Sequence, residues 1–324
     1  MSADFCVAIA SHISNPRRID YLLECLASLT MQTIPVTIYL SISFENDELY
    51  ENLASKIVSL SFPVKPVIKI MNQKTPQMRH LSLLLEDISA GGHKWILFCD
   101  DDDTYQPNRV ETFINSTNQA LMECQASSAS AASAKKLAGI YESTFGKIHQ
   151  DHRHEYWCYC ISLEIYSRFF EHLDRHPDVL DHKCCDIVFA EYFRRTGNNY
   201  VFGRITEPLY NYRVDDNSDS ITGVIVTRQK TEIRRPNPPS SYDEPALIKY
   251  VDELNTYLRE NLDVYLHDTY LRSVVGIEFD AILQKEFAAD YPFLPYVEQI
   301  HIETIRNYWQ RLRDICNEVY DIKF

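Results

Sequence analysis

The first hundred residues alternate between short apolar runs and segments in which apolar residues recur every three or four positions. The apolar runs predict strands at residues 5–10, 36–42, 67–71 and 95–99. The periodic segments predict helices at residues 16–29, 49–60 and 78–88. Strands that alternate with helices through short connections form a mostly parallel sheet covered by helices on both faces. We therefore expect an α/β fold for this part of the chain.

The fourth predicted strand runs directly into four consecutive aspartates, Asp100 to Asp103. In a parallel sheet, ligands bind beyond the carboxyl ends of the strands, and the aspartates lie at such an end. Alternate residues of an extended chain point the same way, so Asp100 and Asp102 are expected to share one side. Carboxylates placed in this way suit Mg²⁺ or Mn²⁺. The alternative is a solvated turn, or a cap by Asp103 or Thr104 on the helix that follows.

Beyond the aspartates the pattern is less regular. Further predicted elements are a helix at 110–122, a strand at 137–144, a strand followed by a helix within 156–170, and a helix that starts at 186. The residues at 126–134 are rich in Ala and Ser, and they either form a surface loop or continue the preceding helix.

A linker is predicted at residues 228–241, which contain the sequence RRPNPPSS. We place an α/β domain before it, at residues 1–227, and a helical region after it, at residues 242–324. Apolar residues at helical spacing mark three helices in that region, at about 247–258, 274–282 and 297–319. Their apolar faces need burial, which suits a cover over a binding site, a protein partner or a homo-oligomer.

Composition excludes several classes of protein. The net charge of −14 argues against a general nucleic-acid binder, which needs a basic face. The N-terminal residues lack the pattern of a signal peptide, and no apolar stretch reaches the length of a membrane span. The nine cysteines are scattered, and the pairs Cys158/Cys160 and Cys184/Cys185 lack the CxxC spacing of a zinc site. We expect reduced thiols in a cytoplasmic protein, with peripheral membrane contact left open.

The stretch WILFCDDDDTYQPNRVETF resembles the metal-binding segment of GT-A-fold glycosyltransferases, especially the inverting family 2. In that family an apolar strand ends in D-x-D, often with one further Asp and then a Pro. Asp100, Asp101 and Asp102 match the D-x-D, Asp103 matches the further Asp, and Pro107 matches the Pro. The opening VAIASHISNPRRIDYLLECLASLTMQT is similar to the family's first strand, nucleotide-contacting loop and helix.

Two later segments extend the resemblance to roughly residues 5–222. The sequence QMRH resembles the stretch whose Arg approaches the nucleotide diphosphate, and Arg79 takes that place. The sequence ITEPLYNYR resembles the late PLY-x-YR strand, which ends here at Arg213. The chain departs from the family in two places. Glu45 stands near the position of the acid that binds the base, and Asp215 stands where a His often completes the metal shell.

The resemblance implies a GT-A α/β fold, a mostly parallel sheet flanked by helices, with a helical C-terminal extension. It implies transfer of a sugar from a nucleotide-diphosphate sugar to a glycan or other hydroxyl acceptor, with Mn²⁺ or Mg²⁺ as cofactor. The implied metal ligands are Asp102, Asp100 and Asp215. The implied donor-binding residues are Ser11, His12, Glu45, Arg79, Asp100, Asp101, Asp103 and Arg213.

The catalytic base of inverting members is an Asp near the start of a helix, and Asp186 is the candidate here, with Asp181 as the second choice. The alternative for Asp186 is an acid that favours the helix dipole. Trp157 suits stacking on an acceptor sugar, although core packing explains an aromatic residue equally well. Three other functions are considered. A sugar nucleotidyltransferase needs a Gly-rich loop after the first strand, and this chain has no Gly there; an acidic calcium-binding protein needs D-x-D-x-D-G spacing, which is absent. The third is a non-catalytic module of the same fold.

Overall fold

The computed structural model describes residues 2–128, 135–143, 147–196, 200–213, 236–239 and 243–321. The chain divides into two compact units, Met1–Val214 and Asp215–Phe324. Only residues 236–239 of the predicted linker lie in the described part, so its extent stays a prediction. The helix that precedes the Ala- and Ser-rich stretch continues to Ser128, and residues 129–134 lie outside the described residues.

The first unit is built on strands β1 Phe5–Ile13, β2 Thr37–Phe44, β3 Val67–Met71, β4 Trp95–Asp100, β5 Thr104–Tyr105, β6 Lys136–Glu142, β7 Tyr159–Ser162, β8 Tyr200–Ile205 and β9 Tyr210–Asn211. The main sheet has 7 strands in the order β3-β2-β1-β4-β7-β6-β8, and β5 pairs with β9. The first four strands are parallel, and β7 is antiparallel to both of its neighbours. The predicted mostly parallel α/β sheet is therefore confirmed. The strand order changes direction between β1 and β4, which makes a topological switch point there.

The helices of this unit are α1 Pro16–Thr30, α2 Asp47–Ile57, α3 Gln77–Leu83, α4 Leu85–Ala90, α5 Arg109–Ser128, α6 Leu163–Leu173, α7 Pro177–Leu180 and α8 Cys185–Arg195. Every residue of β4 from Trp95 to Cys99 is buried. Since successive side chains of a strand point to opposite faces, both faces of the sheet are covered there. The single helix predicted at 78–88 is wrong: Leu84 N–H bonds to the Leu81 carbonyl oxygen, and this tighter turn separates α3 from α4.

The start of α1 is fixed by its sequence. The Asn15 side chain accepts hydrogen bonds from the backbone N–H groups of Arg17 and Arg18, at 3.0 and 3.2 Å. Pro16 occupies the first helical position, where its missing N–H costs nothing. This cap places Arg18 in the first turn of the helix, close after the carboxyl end of β1.

The second unit is helical, as predicted, with α9 Glu244–Glu260, α10 Leu262–Ser273, α11 Phe279–Phe287, a 3-10 helix at Ala288–Tyr296 and α12 Gln299–Tyr320. Its core contains Leu254, Leu258, Ile302 and Ile305. The helix predicted across residues 274–282 is wrong, because α10 ends at Ser273 and Gly276 has a φ of 87°, which breaks the helix before α11. No described helix has the length and apolar character that a membrane span requires. All nine cysteines are free thiols, and all but Cys124 are buried.

Candidate active site

The acidic run lies at the switch point of the sheet. Asp100 ends β4 beside Ala10 of β1, and the chain then turns, with the Asp103 N–H donating to the Asp100 carbonyl oxygen at 3.2 Å. The extended chain that was expected through Asp102 is replaced by this turn. Asp100 and Asp102 are therefore not related as alternate residues of a strand, and each has its own set of partners.

Asp100 is held from the side of α3 and of the 3-10 helix at Tyr156–Cys158. Its Oδ1 accepts a hydrogen bond from Gln77 Nε2 at 2.9 Å and another from the Tyr156 hydroxyl. The Gln77 amide also donates to the Tyr156 oxygen at 3.0 Å, which closes a three-membered network. Burial, together with the charges of the neighbouring aspartates, raises the pKa of Asp100 well above its usual range.

Asp101 and Asp102 share Arg18. The Arg18 guanidinium bonds to Asp101 Oδ1 through Nη2, and to Asp102 Oδ2 through Nη1 at 2.7 Å. Asp101 also accepts a hydrogen bond from the Ser11 hydroxyl at 2.5 Å, and its side chain is buried. Burial raises the pKa of Asp101, although the Arg18 charge opposes this shift. A residue of α1 thus already neutralises part of the charge of the run.

Asp103 is anchored to β9 and to the residues that follow it in the late PLY-x-YR sequence. Its Oδ2 accepts a hydrogen bond from the Tyr210 hydroxyl at 2.8 Å, and its Oδ1 accepts one from the Arg213 backbone N–H at 2.6 Å. Burial raises the pKa of Asp103 to about 7, and these two hydrogen bonds oppose the shift. Arg213 Nε also donates to the Asp102 carbonyl oxygen at 2.7 Å, so this arginine holds the backbone of the run.

Two carboxylate oxygens of the run have no hydrogen-bond partner among the described residues. They are Asp100 Oδ2 and Asp102 Oδ1, one on each of two predicted metal ligands. The third predicted ligand, Asp215, lies outside the described residues. Within the described part, no group of three or more His, Cys, Asp or Glu side chains is arranged to hold a metal ion. Of the carboxylate oxygens of the run, these two are the ones left without a hydrogen-bond partner in the described part of the chain.

Asp186 lies in the first turn of α8, as the sequence predicted, and is half-buried. Burial raises its pKa to about 6, and the charge of Glu155 adds to the shift, whereas two backbone hydrogen bonds and the charge of Arg153 oppose it. The Asp186 charge also acts on the Tyr156 phenol. That phenol also donates to Asp100, so Tyr156 interacts with both Asp186 and the acidic run.

Arg79 and Asp181 form an ion pair. Arg79 Nε and Nη2 donate to the two carboxylate oxygens of Asp181 at 2.8 and 3.1 Å. This bidentate bond, followed by the charges of Asp181 and Asp174, raises the pKa of Arg79. The second choice for the catalytic base is therefore bound to the arginine assigned to the diphosphate.

Trp157 is buried within a stack of aromatic rings. Its ring lies parallel to that of Tyr210, with 4.1 Å between centroids, and to that of Tyr212, with 5.6 Å. Trp157 is 4% exposed, whereas Tyr212 is 50% exposed. The aromatic surface available to a sugar at this place is therefore that of Tyr212, backed by Trp157.

A second polar network lies at the carboxyl ends of β1 and β2. His12 contacts the Ser43 hydroxyl through Nδ1 at 2.9 Å and Glu45 through Nε2 at 3.2 Å. Ser43 also contacts His80 Nε2 at 3.1 Å, and His80 Nδ1 contacts the Ser41 hydroxyl at 2.8 Å. Two predicted donor-binding residues, His12 and Glu45, are thus joined to a buried histidine.

Sequence reasoning missed five residues that organise the site: Arg18, Gln77, His80, Tyr156 and Tyr210. Three of them, Gln77, His80 and Tyr210, lie inside the segments QMRH and ITEPLYNYR that carried the family resemblance. Arg18 lies inside the opening segment 7–33, which also carried the resemblance, whereas Tyr156 lies outside all of these segments and its partner Asp100 is 56 positions away in sequence.

No protein-family model matches the chain, and no curated protein matches it. Among solved structures, S. aureus TarS 1–349 in complex with UDP is similar with a TM-score of 0.41 at 11% identity, over 98% of this chain and 90% of that chain. The same protein in complex with UDP-GlcNAc gives a TM-score of 0.39 at 10% identity, over 97% and 81% of the two chains. Similarities this distant carry no argument about the function of this chain.

Proposed function

We propose that the first unit is a glycosyltransferase that moves a sugar from a nucleotide-diphosphate sugar to an acceptor hydroxyl, with Mn²⁺ or Mg²⁺ as cofactor and with inversion at the anomeric carbon. One observation carries the proposal. At the switch point of the sheet, the acidic run leaves one available oxygen on Asp100 and one on Asp102. The Tyr156 phenol donates to Asp100, and the charge of Asp186 raises the pKa of the same phenol. Cation-binding oxygens close to a general base are what this reaction needs.

Asp100 Oδ2 and Asp102 Oδ1 would hold the cation. Magnesium usually takes one or two carboxylates from a protein and completes its shell with water and substrate phosphates, so two protein oxygens fit this chemistry. When bound, the ion would act as a Lewis acid that stabilises the leaving diphosphate. Asp215 remains the proposed third ligand. Asp101 and Asp103 support this arrangement indirectly, because their buried carboxylates hold the turn in place.

The donor is assigned to residues around the same edge. Ser11, His12 and Glu45, at the ends of β1 and β2, are assigned to the nucleoside. Arg79 and Arg213 are assigned to the diphosphate, since a guanidinium binds phosphate oxygens in a bidentate manner. Both arginines already hold carboxylates or backbone oxygens in place, so a bound diphosphate would compete for part of their hydrogen bonds.

Asp186 is assigned the role of general base. As the acceptor oxygen forms its bond to the anomeric carbon, the bond from that carbon to the diphosphate oxygen breaks, and Asp186 takes the proton of the acceptor hydroxyl. A base works best when its pKa lies near the working pH, and burial raises the pKa of Asp186 to about 6. Tyr212, with Trp157 behind it, is assigned to the apolar face of the acceptor.

The proposal is tested by incubating the full chain with a panel of nucleotide-diphosphate sugars, with Mn²⁺ or Mg²⁺ and with simple glycan acceptors. Release of nucleoside diphosphate measures turnover, and NMR of the product shows the anomeric configuration. We expect Asp102→Ala to lose metal-dependent nucleotide binding. We expect Asp186→Asn to keep binding and to lose about 10²–10⁴-fold in turnover.

Asp252, an exposed acid on α9 of the second unit, provides matched controls. Asp252→Ala makes the same chemical change as Asp102→Ala, and Asp252→Asn makes the same change as Asp186→Asn. We expect both control variants to leave binding and turnover unchanged. The proposal is wrong if no nucleotide sugar in the panel turns over, or if the Asp102 and Asp186 variants match the parent. Retention of the donor's anomeric configuration in the product would refute inversion alone.

A further inference from the structure

We propose that His80 is a positioning residue for the nucleoside half of the donor, acting through Ser43 and His12 on the Glu45 carboxylate that receives the hydrogen-bond donors of the nucleoside. This inference rests on the proposed function and deepens it, because it assigns recognition of the nucleoside to an ordered chain of side chains. His80 itself does not touch the ligand.

Residues of two parallel strands and one helix form this series of hydrogen-bonded side chains, called the hydrogen-bond chain below. Ser41 and Ser43 are alternate residues of β2, so their hydroxyls share one face of the strand. His80, from α3, reaches both hydroxyls with its two ring nitrogens, at 2.8 and 3.1 Å. His12 lies directly beside Ser43 in the register of β1 and β2. Ser41, Ser43 and His80 are all buried, so water does not compete for these bonds.

The charge of Glu45 fixes the direction of every hydrogen bond in the hydrogen-bond chain. An ionised carboxylate only accepts, so His12 Nε2 carries a proton and donates it to Glu45. In a neutral ring, His12 Nδ1 must then accept, and the Ser43 hydroxyl donates to it. Because the single hydroxyl hydrogen of Ser43 is used in the bond to His12, Ser43 accepts from His80 Nε2–H. His80 Nδ1 is left as an acceptor, and Ser41 donates to it.

Neutral rings are what this environment favours. Burial lowers the pKa of His80 to about 4, and the neighbouring His12 contributes to the shift. Burial also lowers the pKa of His12, although its hydrogen bond to Glu45 opposes this. Both rings are therefore neutral near pH 7, each with one donor and one acceptor, which the single direction of the hydrogen-bond chain requires.

The position of Glu45 indicates what it binds. It follows β2 at the carboxyl edge of the sheet, and its N–H donates to the Ile13 carbonyl oxygen at the end of β1, at 3.0 Å. Its side chain is 55% exposed, and Oε1 has no partner among the described residues. In dinucleotide-binding folds, whose sheets share the order of the first four strands found here, an acidic residue after the second strand accepts hydrogen bonds from the ribose of the nucleoside. Ser11, one residue before His12 on β1, bonds to Asp101, which lies in sequence between the two proposed cation ligands.

The direction of the hydrogen bonds in the hydrogen-bond chain is tested without any ligand. We expect ¹⁵N NMR of the full chain, labelled at its histidines, to show both His12 and His80 as neutral Nε2–H tautomers at pH 7.5. The signals are assigned with His12→Asn and His80→Asn. A protonated His80, or an Nδ1–H tautomer for either ring, would overturn the inference whatever the protein binds.

The effect on recognition is tested by binding. The probes are inorganic pyrophosphate and a panel of UDP, CDP, GDP and ADP, each with Mn²⁺. For the nucleoside diphosphate that the parent binds most tightly, we expect His80→Asn and Ser43→Ala each to raise Kd about 10-fold. We expect pyrophosphate, which lacks the nucleoside, to change by less than about twofold. Ser43→Ala removes one hydroxyl only, so it answers the question even if His80→Asn folds poorly.

Ser273→Ala is the matched control, since Ser273 is also fully buried and donates within its own helix in the second unit. It should leave both affinities unchanged. Equal Kd values for the parent and Ser43→Ala, or an equal loss for pyrophosphate and for the nucleoside diphosphate, would overturn this inference alone. If the parent binds pyrophosphate but none of the four nucleoside diphosphates more tightly, the proposed function fails as well.

Discussion

The Arg109 guanidinium and the Glu142 carboxylate form a fully buried ion pair, with 2.6 Å between Nη1 and Oε2. Arg109 also donates to the Trp157 carbonyl oxygen at 2.9 Å and lies over the ring of Tyr210. The second Glu142 oxygen accepts the backbone N–H groups of Leu209 and Tyr210, at 2.6 and 3.1 Å. Because the Tyr210 hydroxyl bonds to the acidic run, this pair supports the segment on which the run depends.

Breaking this pair should destabilise the first unit. In Glu142→Gln, the Arg109 charge stays buried without its counter-ion, and we expect the free energy of unfolding to fall by about 3 kcal/mol. Denaturation with urea measures the change. Glu164→Gln provides the comparison, because Glu164 pairs with Lys136 at the surface and its loss should change stability by less than about 1 kcal/mol. Similar losses from the two variants would contradict this account.

The pH dependence of transfer should report Asp186. If Asp186 is the base, kcat/KM falls about tenfold per pH unit below pH 6, because the carboxyl is protonated there and accepts no further proton. The charge of Glu155 raises the pKa of Asp186 and that of Arg153 lowers it. Glu155→Gln should therefore move the acidic limb to lower pH, and Arg153→Gln should move it to higher pH. Shifts in the same direction for both variants would exclude Asp186 as the titrating group.

The Asp186 carboxylate should lower the free energy of unfolding when it is ionised. The pKa of Asp186 is raised from 3.8 to about 6 in the folded protein, so the folded state binds more protons than the unfolded state between these values. Stability is therefore lost as pH rises through this window, and the full penalty applies above pH 6. Asp186→Asn removes the charge, and we expect it to raise the free energy of unfolding by up to about 3 kcal/mol at pH 8 and by little at pH 4. Equal effects at the two pH values would contradict this prediction.

Arg18 should compete with a divalent cation. It neutralises Asp101 and Asp102, so Arg18→Gln leaves the run more negative. We expect the affinity for Mn²⁺ without nucleotide to rise about tenfold, measured by calorimetry or electron paramagnetic resonance. We also expect the variant to lose stability without Mn²⁺ and to regain it as Mn²⁺ saturates the site. Arg17→Gln, at the exposed neighbouring position, is the control. Weaker Mn²⁺ binding in Arg18→Gln would mean that Arg18 orders the cation site.

The sequence was sufficient where a residue's role depends on neighbours along the chain. The apolar run at residues 95–99 predicted β4 and the position of the aspartates at the carboxyl edge of the sheet. The position of Asp186 at the start of a helix was also recovered. Predictions failed where a local break outweighs periodicity. The tighter turn at Leu84 divides the helix predicted at 78–88. Gly276, in a left-handed conformation, interrupts the helix predicted at 274–282 and separates α10 from α11.

The periodic pattern of the sequence does not predict the side-chain partners of the acidic run. Turning at Asp101 redirects the carboxylates, so Asp101 and Asp102 share Arg18, whereas Asp100 faces Gln77. The sequence alone determined that four aspartates follow a buried strand at the carboxyl edge of a sheet, because the apolar run and the alternation of strands with helices are local patterns. Which two of their oxygens remain available was decided only by the tertiary structure, because hydrogen-bond partners come from segments far apart in the chain and are brought together by packing.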